Sequence, residues 1–419
     1  MDQVIRAVIA DFRERGWDGA LRRMARIREK GVSVDDFLMT LRREDLATWG
    51  AKHAEMITTF EDHRMSALPA RIFYHAEGGK VSAEPVAFAD TPPAVLTIRD
   101  ATLPAGQGVV RTGDVAFYAG PATGGWSDEF LHSLDGSVAW SEETGEVIAR
   151  RMQPTRVIPE GIFMNFGSSW FGFRVLNLAA LALVREAIGD RRVPIIIRAK
   201  ESEAPDNVQI EAVRRIFGHE DIIALRTRVP ETLVERLHVA VLPIQFRRKK
   251  VYYSSVALDL LRRYLGIPAS PPLDRKAAKR IYVSRRDVGR RVVDNEDEVV
   301  RVLEEHGFTV TETTGMSLEQ RLDIFRDAEI VAGNIGSNMI NALFAPSGCW
   351  VVQFVPTEFD RTPHNRDALG NIACGLGQKY LRVSATSALV HTSKLLEAGV
   401  TVPLESLRSA LDFMEASLG

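Results

Sequence analysis

Between Arg280 and Pro356 the chain alternates without interruption between short apolar runs and segments of helical period. Ile281-Tyr282-Val283, Phe308 to Thr313, Glu329 to Ala332 and Trp350 to Val355 read as strands, with three helical segments between them. A chain written this way has few choices. Its strands pair in parallel and its helices cover the faces of the sheet. Asn295 stands as a cap with Glu298 three residues on, Val299, Val300 and Leu303 form the buried stripe, and Gly307 ends the helix. Ser317 with Gln320 makes a second capping box ahead of Leu318, Leu322 and Phe325. Between the third strand and third helix lies a polar turn, Gly333-Asn334-Ile335-Gly336-Ser337-Asn338. Such a turn presents backbone N–H groups at a helix start, where a phosphate can sit.

The rest of the chain supplies a second α/β unit and two flanking regions. Trp170 to Ala187 and Asn207 to Phe217 read as helices, with Val193 to Ile197, Ile222 to Leu225 and Val239 to Leu242 as strands and Ser254 to Tyr264 as a further helix. Gly266 to Asp274, carrying Pro268, Pro271 and Pro272, reads as the linker. Short β-like runs such as Ala94 to Ile98, Gly108 to Arg111 and Val115 to Tyr118 precede this unit. Ile5, Val8, Ile9 and Phe12 share one helical face, and Ser33 is placed to cap another helix bearing Phe37, Leu38 and Leu41.

The expected organisation is therefore a helical extension over 1–66, suited to forming a homo-oligomer. An amino-terminal domain over 67–265 combines the β-rich lead-in with the first α/β unit. A Rossmann-like domain over 275–400 and a terminal helix over 401–419 complete it. The fold class is α/β, with two facing Rossmann-like domains and a ligand cleft at the carboxyl ends of their strands.

Composition removes several classes of function. At 419 residues the chain suits two domains and an extension. A net charge of -2 gives no general attraction to nucleic acid. Arg247-Arg248-Lys249-Lys250 with Tyr252 and Tyr253 is an isolated basic segment, read as a loop at the cleft edge rather than a nucleic-acid patch. Cys349 and Cys374 are the only cysteines, which argues against a disulfide framework or structural zinc and fits a cytoplasmic protein. The longest uncharged apolar stretch, Val175 to Val184, falls far short of the ~20 residues of a transmembrane segment.

The candidate chemistry sits in the carboxy-terminal unit. Ser284, Arg285, Arg286, Arg290 and Arg291 follow a strand, and guanidinium groups at a strand end clamp phosphates bidentately. Gly333, Gly336, Ser337 and Asn338 form the opposing turn. Asn295 and Glu296 start the next helix, where Asn295 caps and Glu296 holds either an arginine or a ribose hydroxyl. No Asp-x-Asp occurs and the histidines show no ligand spacing, so no metal is expected. Neither Gly-x-Gly-x-x-Gly nor the P-loop pattern is present, which counts against a nicotinamide-dependent oxidoreductase and a P-loop enzyme.

These residues carry a resemblance. Arg280-Ile281-Tyr282-Val283-Ser284-Arg285-Arg286-Asp287, Arg290-Arg291, Asn295-Glu296-Asp297-Glu298, His306-Gly307-Phe308, Asn341-Ala342-Leu343-Phe344-Ala345-Pro346 and Asp100-Ala101-Thr102-Leu103 resemble glycosyltransferase family 61. That family includes bacterial capsular-polysaccharide biosynthesis proteins, and the chain looks like a divergent bacterial member, similar from about Val95 to Phe413. The resemblance implies a two-domain GT-B fold and inverting, metal-independent transfer from a nucleotide sugar, with UDP the usual carrier and no other cofactor. A glycan or glycoconjugate in polysaccharide assembly is the implied acceptor. It places Ser284, Arg285, Arg286, Arg290 or Arg291, Asn295 and Glu296 at the donor. Ile335-Gly336-Ser337-Asn338 stands where the family shows His-Gly-Ala-Gly. A loose alignment sets Gly172 and Leu176 where the family has a histidine and an acid, at positions expected to face the cleft. Those departures imply an alternative, a catalytically inactive transferase-like scaffold that binds nucleotide or glycan. They leave the catalytic base unnamed.

Overall fold

The computed structural model describes residues 54–60, 72–85, 93–103, 109–113, 115–118, 138–140, 146–150, 154–165, 177–199, 207–226, 231–241, 254–268, 278–289, 291–361, 366–387 and 399–418, with shorter stretches ahead of residue 54. These residues build two sheets. In the carboxy-terminal one the strands lie in the order Phe308–Thr311, Lys279–Val283, Ala328–Asn334, Trp350–Pro356, Lys379–Ser387, all parallel. Numbered along the chain this is 2-1-3-4-5. The order reverses between Lys279–Val283 and Ala328–Asn334, and a crevice opens at the carboxyl ends of such a pair.

The alternation of side chains along these strands explains what covers the sheet. Ile281, Val283, Val331 and Val351 face one way, onto Leu318–Phe325, the 3-10 element Ser337–Phe344 and Ala368–Gly375. Tyr282, Ile330, Ala332, Val352 and Leu381 face the other way, onto Glu296–Glu305 and Leu404–Leu418. Each crossover helix therefore leaves the switch point on its own side, which keeps the crevice clear of helix.

The amino-terminal sheet runs Ile222–Arg226, Ile195–Ala199, Arg156–Asn165, Thr232–Val241 in parallel. It continues antiparallel through Ala94–Leu103 and Val109–Thr112 to Val115–Tyr118. Helices Leu178–Ile188, Asn207–Phe217 and Ser255–Tyr264 lie between the two sheets. Their Leu and Ile side chains share one core with Met339, Ile340 and Phe344 of the other lobe. Ile267, at the start of the expected linker, is buried in that same core; residues 269–277 lie outside the described residues. Burial at roughly 25 cal/mol per Å² lets such a shared layer tie the two lobes together.

Four elements depart from expectation. Leu38 and Leu41 belong to a strand, Leu38–Arg43, paired with Glu146–Arg150 and Val115–Tyr118, where a helix is expected. Ladder bonds to two distant partners override a weak local period. Met56–Thr59, also within the expected helical extension, pairs with Ala94–Leu103. The hairpin Ile72–Glu77 and Lys80–Pro85, expected in the amino-terminal domain, extends the carboxy-terminal sheet beyond Lys379–Ser387. Thr232–Val241 spans ten residues, where only Val239 to Leu242 is expected. Trp170 to Leu176, including Gly172, lies outside the described residues. Among the described residues no helix is long and apolar enough to cross a membrane.

Candidate functional site

The strand Lys279–Val283 ends in Ser284 and Arg285, both buried. Ser284 N–H donates to Thr311 O at 2.9 Å, so the strand end is held by its neighbour. Arg285 then spans the switch point. Its Nη1 donates to Asn338 Oδ1 at 2.7 Å. A Cβ at Gly336 would stand 2.6 Å from that same Nη1. Glycine is therefore needed at 336 for close approach of a guanidinium; its φ of 164° is extended backbone that any residue adopts.

Asn338 is only 9% exposed, and its Nδ2 has no hydrogen-bond partner among the described residues. The assignment of its amide follows from Arg285, because only an oxygen can accept from the guanidinium. A buried N–H donor without an acceptor, beside a buried cation, is one acceptor short. That is the electrostatic condition for an anion.

The turn leads into a 3-10 element capped by Gly336, where an α-helix is expected. Ile335 N–H is already committed to Phe354 O at 2.9 Å and to Asn334 Oδ1 at 2.7 Å. The Ile335 side chain is buried on Val355 and Phe359. Gly333 has a packing reason to be small: a Cβ there would meet Met339 Sδ at 2.5 Å and Val283 O at 3.1 Å.

Arg286 turns the other way. Its Nε donates to Glu296 Oε2 at 2.7 Å, and its Nη2 reaches Asp297. The second oxygen of Glu296 accepts from Tyr282 Oη–H at 2.7 Å. Glu296 thus holds an arginine and a tyrosine. Its bond to Arg286 holds that guanidinium's pKa above the ordinary value. Burial pushes the Tyr282 hydroxyl well above its usual range. An open cleft of about 610 Å³ lies beside these groups, lined by Arg286, Asn295, Glu296, Asp297 and Arg301 among others.

Asn295 occupies the cap position but makes no side-chain cap bond. Its Nδ2 donates to Val402 O at 2.9 Å and its Oδ1 accepts from Val402 N–H at 3.0 Å. The expected capping box is therefore replaced by an anchor for the segment before the terminal helix. The box at Ser317 and Gln320 is present with both bonds. Arg291 adopts φ 53°, costly for a residue with a Cβ. Its carbonyl accepts from Asn334 Nδ2 at 2.7 Å, which ties this loop to the opposite strand end. Arg290 lies outside the described residues.

The structure thus gathers Ser284, Arg285, Gly336, Ser337 and Asn338 at the crevice and separates Arg286, Asn295 and Glu296 from them. Asn334, read as part of the polar turn, and Tyr282, read as a strand residue, fix this arrangement without having been singled out. The family model Glycosyltransferase 61 matches residues 124–352, more than half of the chain. The chain belongs to glycosyltransferase family 61. The match takes in the whole crevice of this family 61 glycosyltransferase, from Arg285 to Asn338. No curated protein matches the chain.

Proposed function

We propose that this glycosyltransferase binds a nucleotide-sugar donor, a UDP-sugar, at the switch-point crevice. The single observation carrying this reading is Arg285 laid onto Gly336 and Asn338, with the buried Asn338 Nδ2 left without an acceptor. A diphosphate oxygen supplies that acceptor, and the guanidinium supplies the charge that a metal would otherwise provide. The parallel, switch-point architecture of the two sheets supports a GT-B-like pairing of lobes.

In the reaction an acceptor hydroxyl oxygen attacks the anomeric carbon from the face opposite the phosphate. The carbon–oxygen bond to the diphosphate breaks, its electron pair stays on the leaving oxygen, and the hydroxyl proton passes to a base. The configuration inverts. Arg285 and the turn stabilise charge on the departing diphosphate, where it grows most in the transition state. The acceptor is a glycan or glycoconjugate of a polysaccharide pathway.

Calorimetric titration with UDP tests the site. Wild-type protein binds, and Arg285→Ala loses tenfold or more in affinity, about 1.4 kcal/mol or greater. Equal affinity within twofold would remove the diphosphate from this crevice. UDP binding with no transfer of labelled sugar to any acceptor would instead make the chain a nucleotide-binding scaffold.

A further inference from the structure

Arg262 lies on Ser255–Tyr264, in the helical layer contributed by the amino-terminal lobe, and is 4% exposed. A cation buried this deeply ordinarily needs a carboxylate against it. Arg262 instead donates to three main-chain oxygens and one hydroxyl, with Ala345, Leu376 and Ser347 lying across the lobe boundary. Its Nη2 reaches Ala345 O at 3.0 Å and Pro268 O at 3.2 Å; its Nη1 reaches Leu376 O and Ser347 Oγ, both at 3.3 Å. Among the described residues its Nε has no hydrogen-bond partner. Asp259, on the same helix, adds favourable charge.

Ala345 closes the 3-10 element Ser337–Phe344, and Leu376 closes Ala368–Gly375. The carbonyls at such ends carry the negative pole of the aligned peptides. Two helix ends of one lobe thus receive a cation from the other. Gln378 adds a clamp from within the lobe, its Nε2 donating to Ala342 O at 2.7 Å and Ala345 O at 2.9 Å.

What this grip controls follows from the element it holds. Eight residues of 3-10 helix are long for a conformation with poor hydrogen-bond geometry, and at about 2.0 Å per residue they span about 16 Å. The far end is the Gly336–Asn338 turn. An element so weakly held by its own bonds keeps its register only if both ends are fixed. Arg285 fixes one end and Arg262 the other.

We propose that Arg262 is a positioning residue for the anion-binding turn. The amino-terminal lobe grips the 3-10 element by its carboxyl end and so keeps Asn338 seated on Arg285. The consequence for ligand affinity rests on the diphosphate reading given above; the grip itself does not.

Arg262→Met and Arg262→Lys are compared with wild type by amide hydrogen exchange and by UDP titration. Glu231→Gln, which breaks the distant Arg111–Glu231 pair, is the control for general loss of stability. In Arg262→Met, exchange over residues 337–344 rises at least tenfold and UDP affinity falls at least fivefold. Arg262→Lys, a cation able to reach fewer of the four acceptors, falls between. In Glu231→Gln any rise in exchange over 337–344 matches that over the rest of the carboxy-terminal sheet, and UDP affinity stays at the wild-type value. Unchanged exchange over 337–344 in a folded Arg262 variant overturns the proposal, as does a rise in the Arg262 variants no greater there than over the rest of that sheet. If wild type fails to bind UDP, the diphosphate reading falls and the exchange comparison alone judges Arg262. If Arg262→Met does not fold, Arg262→Lys carries the test.

Discussion

Replacing Gly336 by alanine adds one methyl group at the most informative position of the crevice. Its Cβ would lie 2.6 Å from Arg285 Nη1, 3.2 Å from Arg285 Cζ and 3.0 Å from Asn338 Oδ1. Ordinary contact begins near 3.5 Å, so the guanidinium must retreat by roughly 1 Å. The 2.7 Å bond to Asn338 then stretches beyond hydrogen-bonding range. A hydrogen bond to a charged group is worth about 1.5–3 kcal/mol, which translates to a roughly ten- to hundredfold loss of UDP affinity. The backbone is extended and accepts alanine, but the broken bond is internal to the fold, so the thermal midpoint should fall as well. Calorimetry and a melting curve on the same preparation read both quantities. UDP affinity within twofold of wild type in Gly336→Ala would refute the reasoning. Gly333→Ala provides the contrast. Its Cβ meets Met339 Sδ and the Val283 carbonyl, and a main-chain oxygen cannot withdraw cheaply. The expected cost there is about 1–3 kcal/mol of stability.

Other expectations follow from buried charge. Glu231 is 1% exposed and takes both arms of Arg111, at 3.1 and 2.5 Å; Glu231→Gln should cost about 3–5 kcal/mol in urea unfolding. His238 is fully buried between Thr97 Oγ1 and Glu160 Oε1, each at 2.9 Å. Burial holds its pKa below the ordinary value, opposed by Glu160 and aided by Arg191 and Arg236. Because the folded pKa is the lower one, the unfolded chain takes the proton first as pH falls. Stability present above about pH 6.5 is then lost progressively towards the folded value. His75, depressed by burial and Arg382, adds a slope of the same sign. His238→Gln should therefore flatten part of the decline in urea-derived stability between pH 7.5 and 5.5; an unchanged slope would count against this account.

Much of the carboxy-terminal lobe was legible because its signals are local. The Ser317–Gln320 box, the Val299–Leu303 stripe and the strand Trp350–Pro356 each depend on residues a few positions apart. What escaped the sequence depends on partners far away. Leu38–Arg43 is a strand because Glu146–Arg150 lies beside it. Asn295 has the right residue type for a cap, yet its amide is taken by Val402, 107 residues on. The site divides in the same manner. That Arg285 and the Gly336 turn meet at one crevice was readable from the strand ends, but the opposite turning of Arg286 is set by Glu296 and Tyr282, whose meeting only the packed helix decides.

The Ile72–Glu77 hairpin strand lies parallel to Lys379–Ser387, and its aromatic rings make it more than an edge decoration. Tyr74 meets Trp350 at 5.3 Å and Phe413 at 5.1 Å, while Phe73 meets Tyr380 at 5.0 Å. A ribosome adding about 5–20 residues per second finishes this early hairpin roughly 15–60 seconds before its mate emerges. Over that interval the rings have no native shelter, a window in which a chaperone or an aggregate competes for them. The same threading forbids modular surgery: scission at the proline-rich linker leaves the later half with a raw, sticky border along Lys379–Ser387. Inheritance, expression and unfolding of the two lobes are consequently a joint affair.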